Sequence, residues 1–252
     1  MNLITSVSNN TIKLVRKLLD DKKYRDATNM FCAETNKIVV HLINSQYKVK
    51  FIIVSKKSKF LNDFNKYITY TVEDSVFLSL SSLSTPDGII GVFEKRNSEL
   101  FFEKNKKYYV LDKIQNPTNL GTISRSCLAF GIDGLIILNG SVDIYNPVVI
   151  RSSMGAIFNL PIKFITDFKV IRDKLKSLEY TIYGTALTNK TVALNKIKFP
   201  NSCAIVLGNE GNGISKAILT LCDEIIYIPI DKKIDSLSVS ATAAIIGWEL
   251  TR

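Results

Sequence analysis

A glycine-rich loop that contains a carboxylate is the first stretch of this sequence with an evident chemical use. Residues 204–215 read AIVLGNEGNGIS, in which an apolar run leads into three glycines and Glu210. Such loops usually bind phosphate through backbone N–H groups. Gly208 and Gly213 have the Walker spacing, but Ile214 replaces the lysine, and the dinucleotide motif does not fit either. Because a carboxylate repels polyphosphate, the loop favours a cationic ligand or one rich in hydroxyls and ring nitrogens. The simpler alternative is a tight turn in which Glu210 caps the following helix.

Two further loops carry side chains that can reach a ligand. Segment 114–131 places two asparagines before a predicted helix and Arg125 in its second turn. The predicted buried stripe of that helix is Ile123, Cys127 and Phe130. Arg125 therefore points away from the core, toward a ligand or a salt-bridge partner. Segment 229–240 ends in the hydroxyl-rich run DSLSVS, which a helix cap would explain equally well.

These loops belong to a β–α alternation in the second half of the chain. The predicted strands are 108–114, 134–138, 180–187, 203–208 and 224–230. The predicted helices are 121–130, 146–158, 168–178, 214–222 and 238–250. Apolar strands alternating with helices predict a parallel sheet covered on both faces, with ligands at the carboxyl ends of the strands.

The first half of the chain mixes helical and strand patterns. Apolar residues at helical spacing follow Asn9 and Asn10, either of which can cap the helix, and strands are predicted at 49–55 and 87–95. The single histidine, His41, is predicted to be a packed helix residue, because no second histidine exists to share a metal ion. The predicted organisation is a domain at 1–95, a linker at 96–106 and a domain at 107–252.

Charge and cysteine usage narrow the class of protein. The net charge is +10, and residues 1–66 alone contain 13 Lys and Arg against 5 Asp and Glu. This excess indicates a surface for nucleic-acid phosphate, with a merely solvated basic face as the alternative. The four cysteines are scattered, which argues against a metal site or disulfide framework and fits a reducing cytoplasm. The apolar runs are too short for a membrane span.

Together the three loops resemble the motifs of the SpoU (TrmH) family of RNA ribose 2′-O-methyltransferases, in the SPOUT superfamily. The similar segments are NPTNLGTISRSCLAFG, LGNEGNGIS and IPIDKKIDSLSVSATAAI, in that order along the chain. The N-terminal part is similar to the L30e-like substrate-binding domain often attached. The resemblance implies an α/β fold in which a parallel-sheet domain with a deep trefoil knot follows a smaller N-terminal α/β domain. It also implies S-adenosylmethionine as cofactor, no metal ion, and a homodimer formed through the knotted domain.

The resemblance assigns expected roles to particular residues. The expected cofactor-binding residues are Thr185, Ala186, Leu207, Gly208, Gly211, Ile228, Pro229 and Leu237. The expected catalytic or active-site residues are Asn119, Arg125, Glu210, Ser236 and Ser238. Because the pKa of a guanidinium exceeds ~12, Arg125 suits a phosphate clamp or alkoxide stabiliser better than a base. Ser238 departs from the asparagine usual at its position; serine keeps a hydrogen-bond donor and acceptor but has a shorter reach.

The implied activity is methylation of a ribose 2′-hydroxyl in structured RNA, with ribosomal RNA as the expected substrate. The alternatives are a transfer-RNA 2′-O-methyltransferase and a catalytically inactive RNA-binding protein. A nucleotide hydrolase is disfavoured because the chain lacks the P-loop lysine and a metal-binding acidic pair. The expected location is the cytoplasm, with no membrane association.

Overall fold

The computed structural model describes residues 3–96, 99–188 and 191–252, so positions 97 and 98 of the predicted linker lie outside the described residues. The helices are α1 (Asn10–Asp20), α2 (Lys22–Thr28), α3 (Asn36–Asn44), α4 (Asp74–Leu78), α5 (Pro117–Ala129), α6 (Pro147–Ser153), α7 (Phe168–Ser177), α8 (Lys216–Leu219) and α9 (Val239–Glu249). The strands are β1 (Met30–Glu34), β2 (Val49–Ser55), β3 (Thr69–Val72), β4 (Ile89–Glu94), β5 (Lys107–Leu111), β6 (Gly134–Leu138), β7 (Ile162–Ile165), β8 (Thr181–Thr185), β9 (Val192–Ala193), β10 (Cys203–Leu207) and β11 (Glu224–Tyr227). Short 3₁₀ turns occur at Ala156–Asn159 and Leu194–Lys196.

The chain forms two compact units. Unit 1 comprises Met1–Asn97 and Asp143–Phe158, and unit 2 comprises Ser98–Val142 and Asn159–Arg252. Each unit has its own sheet and its own buried apolar cluster. Within the described residues, no helix has both the length and the hydropathy needed to cross a bilayer.

Unit 1 is built on a four-stranded sheet in the order β1-β4-β2-β3. Strand β4 pairs antiparallel with β1 and β2, and β2 pairs parallel with β3. Helix α1 packs on this sheet through Ile12, Val15 and Leu18, which are fully buried at the helical spacing read from the sequence. The Asn9 side chain accepts a hydrogen bond of 2.8 Å from the N–H of Thr11, as an N-cap does. The predicted helix and its cap are therefore confirmed.

Unit 1 also contains a strap, defined as Asp143–Phe158, that the chain contributes from between β6 and β7. The Arg25 guanidinium donates from Nε to Asp143 Oδ2 at 2.9 Å, and both side chains are less than a tenth exposed. The rings of Tyr145 and Phe158 lie 4.8 and 5.2 Å from the ring of Phe31 on β1. These contacts group the strap with unit 1, although its residue numbers fall within the predicted domain 107–252.

Helix α6 of the strap is shorter than the predicted helix at 146–158. Its last residue is Ser153, because Met154 takes the left-handed conformation with φ +53° and Gly155 follows with φ +83°. A left-handed residue after the last helical residue releases the backbone from the helix. The prediction of one continuous helix to residue 158 was therefore wrong: α6 ends at Ser153, and a separate 3₁₀ turn follows at Ala156–Asn159.

Unit 2 contains a seven-stranded sheet in the order β7-β6-β5-β10-β8-β11-β9, with all neighbours parallel. Tyr108 and Val110 of β5 point into an apolar cluster that also includes residues of α7 and α8. The intervening Tyr109 donates its hydroxyl to the carbonyl of Ala243 on α9 at 2.7 Å. Because alternate side chains of a strand point to opposite faces, helices cover both faces. The mixed α/β class, with a parallel C-terminal sheet and a smaller N-terminal sheet, is confirmed.

Candidate active site

The glycine-rich loop closes on itself directly after β10. The N–H of Asn209 donates to the carbonyl of Gly213 at 3.0 Å, and the reverse bond between the same residues is 2.9 Å. A Cβ on Gly208 would lie 2.2 Å from the carbonyl carbon of Gly213 and 2.3 Å from the N–H nitrogen of Ile214. The backbone of the loop itself therefore requires glycine at position 208, independently of any ligand.

Glu210 joins this loop to the amino-terminal end of α5. Its carboxylate accepts hydrogen bonds from the backbone N–H groups of Gln115 and Asn116, at 3.2 and 3.0 Å. It also accepts a 3.0 Å bond from Nδ2 of Asn119. The interpretation that Glu210 caps the following helix was wrong, because its partners precede or lie in the first turn of α5. The contacts of Glu210 with Gln115, Asn116 and Asn119 are called the Glu210 latch below.

The Glu210 latch keeps the carboxylate ionised. Partial burial by itself raises the pKa of Glu210, but the hydrogen bonds from the Asn119 side chain and from the backbone of Gln115 and Asn116 outweigh it, so the pKa lies below the ordinary glutamate value. A carboxylate with a lowered pKa binds protons weakly near neutral pH. It is well suited to hold N–H donors and poorly suited to accept a proton from a substrate hydroxyl.

A hydrogen-bond chain extends the latch to the start of α9. The hydroxyl of Ser240 donates to Oδ1 of Asn119 at 3.1 Å. The oxygen of the Asn119 amide is therefore held by α9, and its nitrogen is held by Glu210 of the glycine-rich loop. Ser240 in turn lies 3.2 Å from the hydroxyl of Ser238, and Ser238 caps α9 by accepting from the N–H of Ala241. This series of hydrogen bonds brings three predicted residues together: Asn119, Glu210 and Ser238. Ser240 was not predicted, and the only sequence signal for it is its place in the hydroxyl-rich run DSLSVS.

A cavity of about 310 Å³ opens beside these hydrogen-bonded residues, at the carboxyl ends of the parallel strands of unit 2. Six of the eight predicted cofactor-binding residues line it, namely Thr185, Ala186, Gly208, Gly211, Ile228 and Leu237. Glu210 and Ser236 of the predicted catalytic set also line it. Leu207 does not line the cavity, being fully buried inside β10, and neither does the exposed Pro229.

Sequence reasoning missed several residues of the cavity wall. Apolar and aromatic side chains on β11 and α9, and in the 3₁₀ turn after β9, contribute to it: Leu194, Ile226, Tyr227 and Ile246. Their contribution depends on strands and helices that meet only in the folded sheet, so no local pattern signals it. Asp235, in the segment between β11 and α9, is a further lining residue that the sequence did not single out.

Arg125 lies apart from the cavity. Ile123 and Cys127 of the predicted stripe are fully buried, whereas Phe130 is half-buried against Trp248, with ring centroids 6.2 Å apart. Arg125 is exposed and forms no hydrogen bond or ion pair with any described residue. It does not line the cavity, so the structure does not bring it together with the predicted cofactor-binding residues.

The groups that the cavity offers to a ligand are mostly backbone, apolar side chains and hydroxyls. Over residues 3–96, 99–188 and 191–252, no group of three or more His, Cys, Asp or Glu side chains is placed to hold a metal ion. The cavity offers glycine backbone, apolar walls, hydroxyls and two carboxylates. This combination suits an organic ligand with a ring system and positive charge.

Comparison with known protein families assigns both parts of the chain. The model of the SpoU rRNA methylase family matches residues 106–248. The model of the MRM3-like substrate binding domain matches residues 9–91.

Individual relatives match nearly the whole chain. A 23S rRNA (guanosine(2553)-2′-O)-methyltransferase of Bacillus subtilis is 31% identical over 251 residues, covering 99% of each chain. The crystal structure of an AdoMet-bound rRNA methyltransferase from Sinorhizobium meliloti has a TM-score of 0.87 at 25% identity, covering 98% of this chain and 96% of that one. The SpoU methyltransferase AviRb from Streptomyces viridochromogenes has a similar fold, with a TM-score of 0.85 at 22% identity over 96% of each chain.

Proposed function

The chain belongs to the SpoU rRNA methylase family, and we propose that it transfers a methyl group from S-adenosylmethionine to a ribose 2′-hydroxyl of ribosomal RNA. The observation that carries this proposal is the cavity at the strand ends, with its glycine loop and its excess of negative charge. The Bacillus subtilis relative is named for 2′-O-methylation of 23S rRNA, and the Sinorhizobium meliloti structure is that of an AdoMet-bound rRNA methyltransferase.

The residues of the cavity fit S-adenosylmethionine. Apolar side chains such as Ile228 and Leu237 suit the adenine ring, and the glycine backbone at position 208 allows close approach without a Cβ. Backbone groups of Gly208, Ile228 and Leu237 on the cavity wall would hold the adenosyl part, with Thr185, Ala186 and Gly211 beside it. The cofactor supplies the electrophilic methyl group. The chain supplies the cavity that orients it and the groups that position the RNA ribose.

Proposed roles for the remaining residues follow from their contacts. Asn119 and Glu210 are proposed to position the glycine-rich loop against the start of α5. Glu210 accepts hydrogen bonds from Asn116 and Asn119, and Asn119 accepts one from Ser240 of α9. Ser236, on the cavity wall, and Ser238, at the cap of α9, are proposed to hydrogen-bond the ribose through their hydroxyls. Arg125 is proposed to bind an RNA phosphate and to stabilise the developing alkoxide, since a guanidinium donates hydrogen bonds and keeps its proton.

The RNA-binding contribution is proposed to come mainly from the N-terminal domain at 1–95, joined by the linker 96–106 to the methyltransferase domain at 107–252. Several lysines of unit 1 have no ion pair with a described carboxylate: Lys13, Lys17, Lys23, Lys37, Lys59 and Lys66. Unpaired cations are available to replace counterions on an RNA backbone. The match of residues 9–91 to a substrate-binding domain supports the same assignment.

We also propose that the protein acts as a homodimer in the cytoplasm. Three apolar side chains on α5 and α9 are substantially exposed: Leu128 at 41%, Ile245 at 38% and Trp248 at 58%. A second copy covering this patch would bury them, and sedimentation at micromolar concentration measures whether a dimer forms. The four cysteines are free thiols, which is the usual state of cysteines in a reducing compartment.

Mapping of ribose methylation in total RNA tests the proposed function in cells. RNA from cells lacking the protein is expected to lose 2′-O-methylation at a ribosomal RNA position, and the gene product should restore it. Loss confined to transfer RNA would favour the alternative substrate. An unchanged ribose-methylation map would favour the inactive RNA-binding protein.

A further inference from the structure

The charged side chains that line the cavity are all acidic. Among the described residues of the wall, the carboxylates are Glu210 and Asp235, and neither Lys, Arg nor His takes part. A wall with this charge favours a cation and disfavours phosphate. The two carboxylates are not equivalent, because their hydrogen bonding differs.

Glu210 is already saturated with donors from the protein. One carboxylate oxygen accepts bonds of 3.0 Å from both Asn116 N–H and Asn119 Nδ2, and the other accepts a 3.2 Å bond from Gln115 N–H. Asn209 Nδ2 adds a further contact at 3.4 Å. These donors compensate much of the negative charge of Glu210 before any ligand binds.

Asp235 has no such compensation. It lies in the segment between β11 and α9, is exposed, and has no hydrogen bond or ion pair with any residue that the structure describes. Lys232 and Lys233 occupy the same segment but do not line the cavity. Asp235 is therefore the cavity carboxylate whose charge remains available to a ligand.

We propose that Asp235 is a specificity-determining residue that makes the cavity prefer S-adenosylmethionine over the product S-adenosylhomocysteine. This inference rests on the proposed function. In both molecules the α-ammonium and α-carboxylate cancel in charge. Methyl transfer breaks the sulfur–methyl bond and forms a bond between the methyl carbon and the ribose 2′-oxygen, whose proton is released to solvent. The electron pair of the broken bond stays on sulfur, so a sulfonium cation becomes a neutral thioether. The net charge of the ligand falls by one, and a negative wall then holds the product less strongly than the cofactor.

The preference is expected to be modest, because Asp235 is exposed to solvent. Exposed ion pairs contribute up to about 1 kcal/mol, which corresponds to about a 5-fold difference in affinity. Removing the charge should therefore lower the affinity for S-adenosylmethionine by about 3- to 5-fold and leave that for S-adenosylhomocysteine nearly unchanged. The same loss of preference is expected for the unmutated protein near 1 M salt, where the Debye length is about 3 Å.

Calorimetric titration of the full chain with each ligand tests the proposal. The variants are Asp235→Asn, Asp235→Glu, which restores the charge, and the matched control Asp231→Asn. Asp231 lies on the same segment and is exposed, but it does not line the cavity. The expected result is a reduced preference for the cofactor in Asp235→Asn alone.

Two results would overturn the inference while leaving the function intact. One is an equal change, or no change, in the affinities for the two ligands on Asp235→Asn. The other is the same loss of preference in Asp231→Asn, which would make the effect a general property of loop charge. Failure of the unmutated protein to bind S-adenosylmethionine would overturn the cofactor assignment, and the role of Asp235 with it.

Discussion

Replacing Glu210 by glutamine should loosen the Glu210 latch without changing the size of the side chain. The amide keeps one acceptor oxygen, but its NH₂ group would face the N–H donors of Gln115, Asn116 and Asn119. Hydrogen bonds to charged groups contribute about 1.5–3 kcal/mol each when well shielded. Because Glu210 is an exposed residue, solvent screening reduces the combined loss to about 1–2 kcal/mol.

The effect should depend on pH in a defined direction. The pKa of Glu210 is lowered in the folded protein, because the hydrogen bonds from Asn119 and the backbone outweigh the opposing effect of partial burial. A lowered folded-state pKa gives a stabilisation that is fully present above the unfolded value of about 4.3 and is lost as pH falls through the folded value. The difference between the unmutated protein and Glu210→Gln should therefore be largest near neutral pH and shrink below about pH 4.

Urea unfolding at pH 7 and at pH 3.5 measures both parts of this prediction. Glu224→Gln is the matched control, because Glu224 is an exposed glutamate of β11 whose side chain has no hydrogen bond to a described residue. We expect Glu210→Gln to lower the free energy of unfolding at pH 7 and the control to leave it within about 0.5 kcal/mol. Equal stabilities of Glu210→Gln and the control at pH 7 would refute the latch.

Three further predictions concern the loop, the arginine and the strap. Gly208→Val should abolish S-adenosylmethionine binding in calorimetry, since the added Cβ meets loop backbone at 2.2 Å; retained binding would contradict this account of the loop. Arg125→Ala should fold and bind the cofactor but lose methyl transfer by at least ~10²-fold, and Arg125→Lys should restore little because a point charge does not reproduce the planar guanidinium. Near-normal transfer by Arg125→Ala would remove Arg125 from the mechanism. Asp143→Ala should lower the free energy of unfolding by about 3–5 kcal/mol, because it leaves the buried Arg25 charge unpaired. In contrast, Lys22→Ala, which removes one partner of the exposed Lys22–Asp26 pair, should lower the free energy of unfolding by less than about 1 kcal/mol. Similar losses in the two variants would contradict burial of the Arg25–Asp143 pair.

Features determined by near neighbours in the chain were predictable from the sequence. The apolar spacing of α1 and the Asn9 cap depend on residues within a few positions of one another, and both were found where expected. The β–α alternation predicted the parallel sheet for the same reason. By contrast, β9 has only two residues, which is too short to give a periodic signal.

Contacts between distant segments were not predictable in this way. Arg25 and Asp143 are 118 positions apart, and no local pattern indicates that they pair. The partners of Glu210 lie more than 90 positions away, so the sequence suggested a cap on the following helix instead. The resemblance gave Gly208 a role in cofactor binding, whereas the backbone of its own loop already requires glycine at that position.

The most direct test of the central claim is transfer of tritium from methyl-labelled S-adenosylmethionine to purified ribosomal RNA, followed by alkaline hydrolysis. A 2′-O-methyl group removes the nucleophile needed for alkaline cleavage, so label on ribose is recovered in alkali-resistant dinucleotides. We expect the unmutated protein to label ribosomal RNA in this resistant form and Gly208→Val to leave it unlabelled. Label recovered only in mononucleotides, which would place the methyl group on a base, or no transfer to ribosomal RNA at all, would contradict the proposed function.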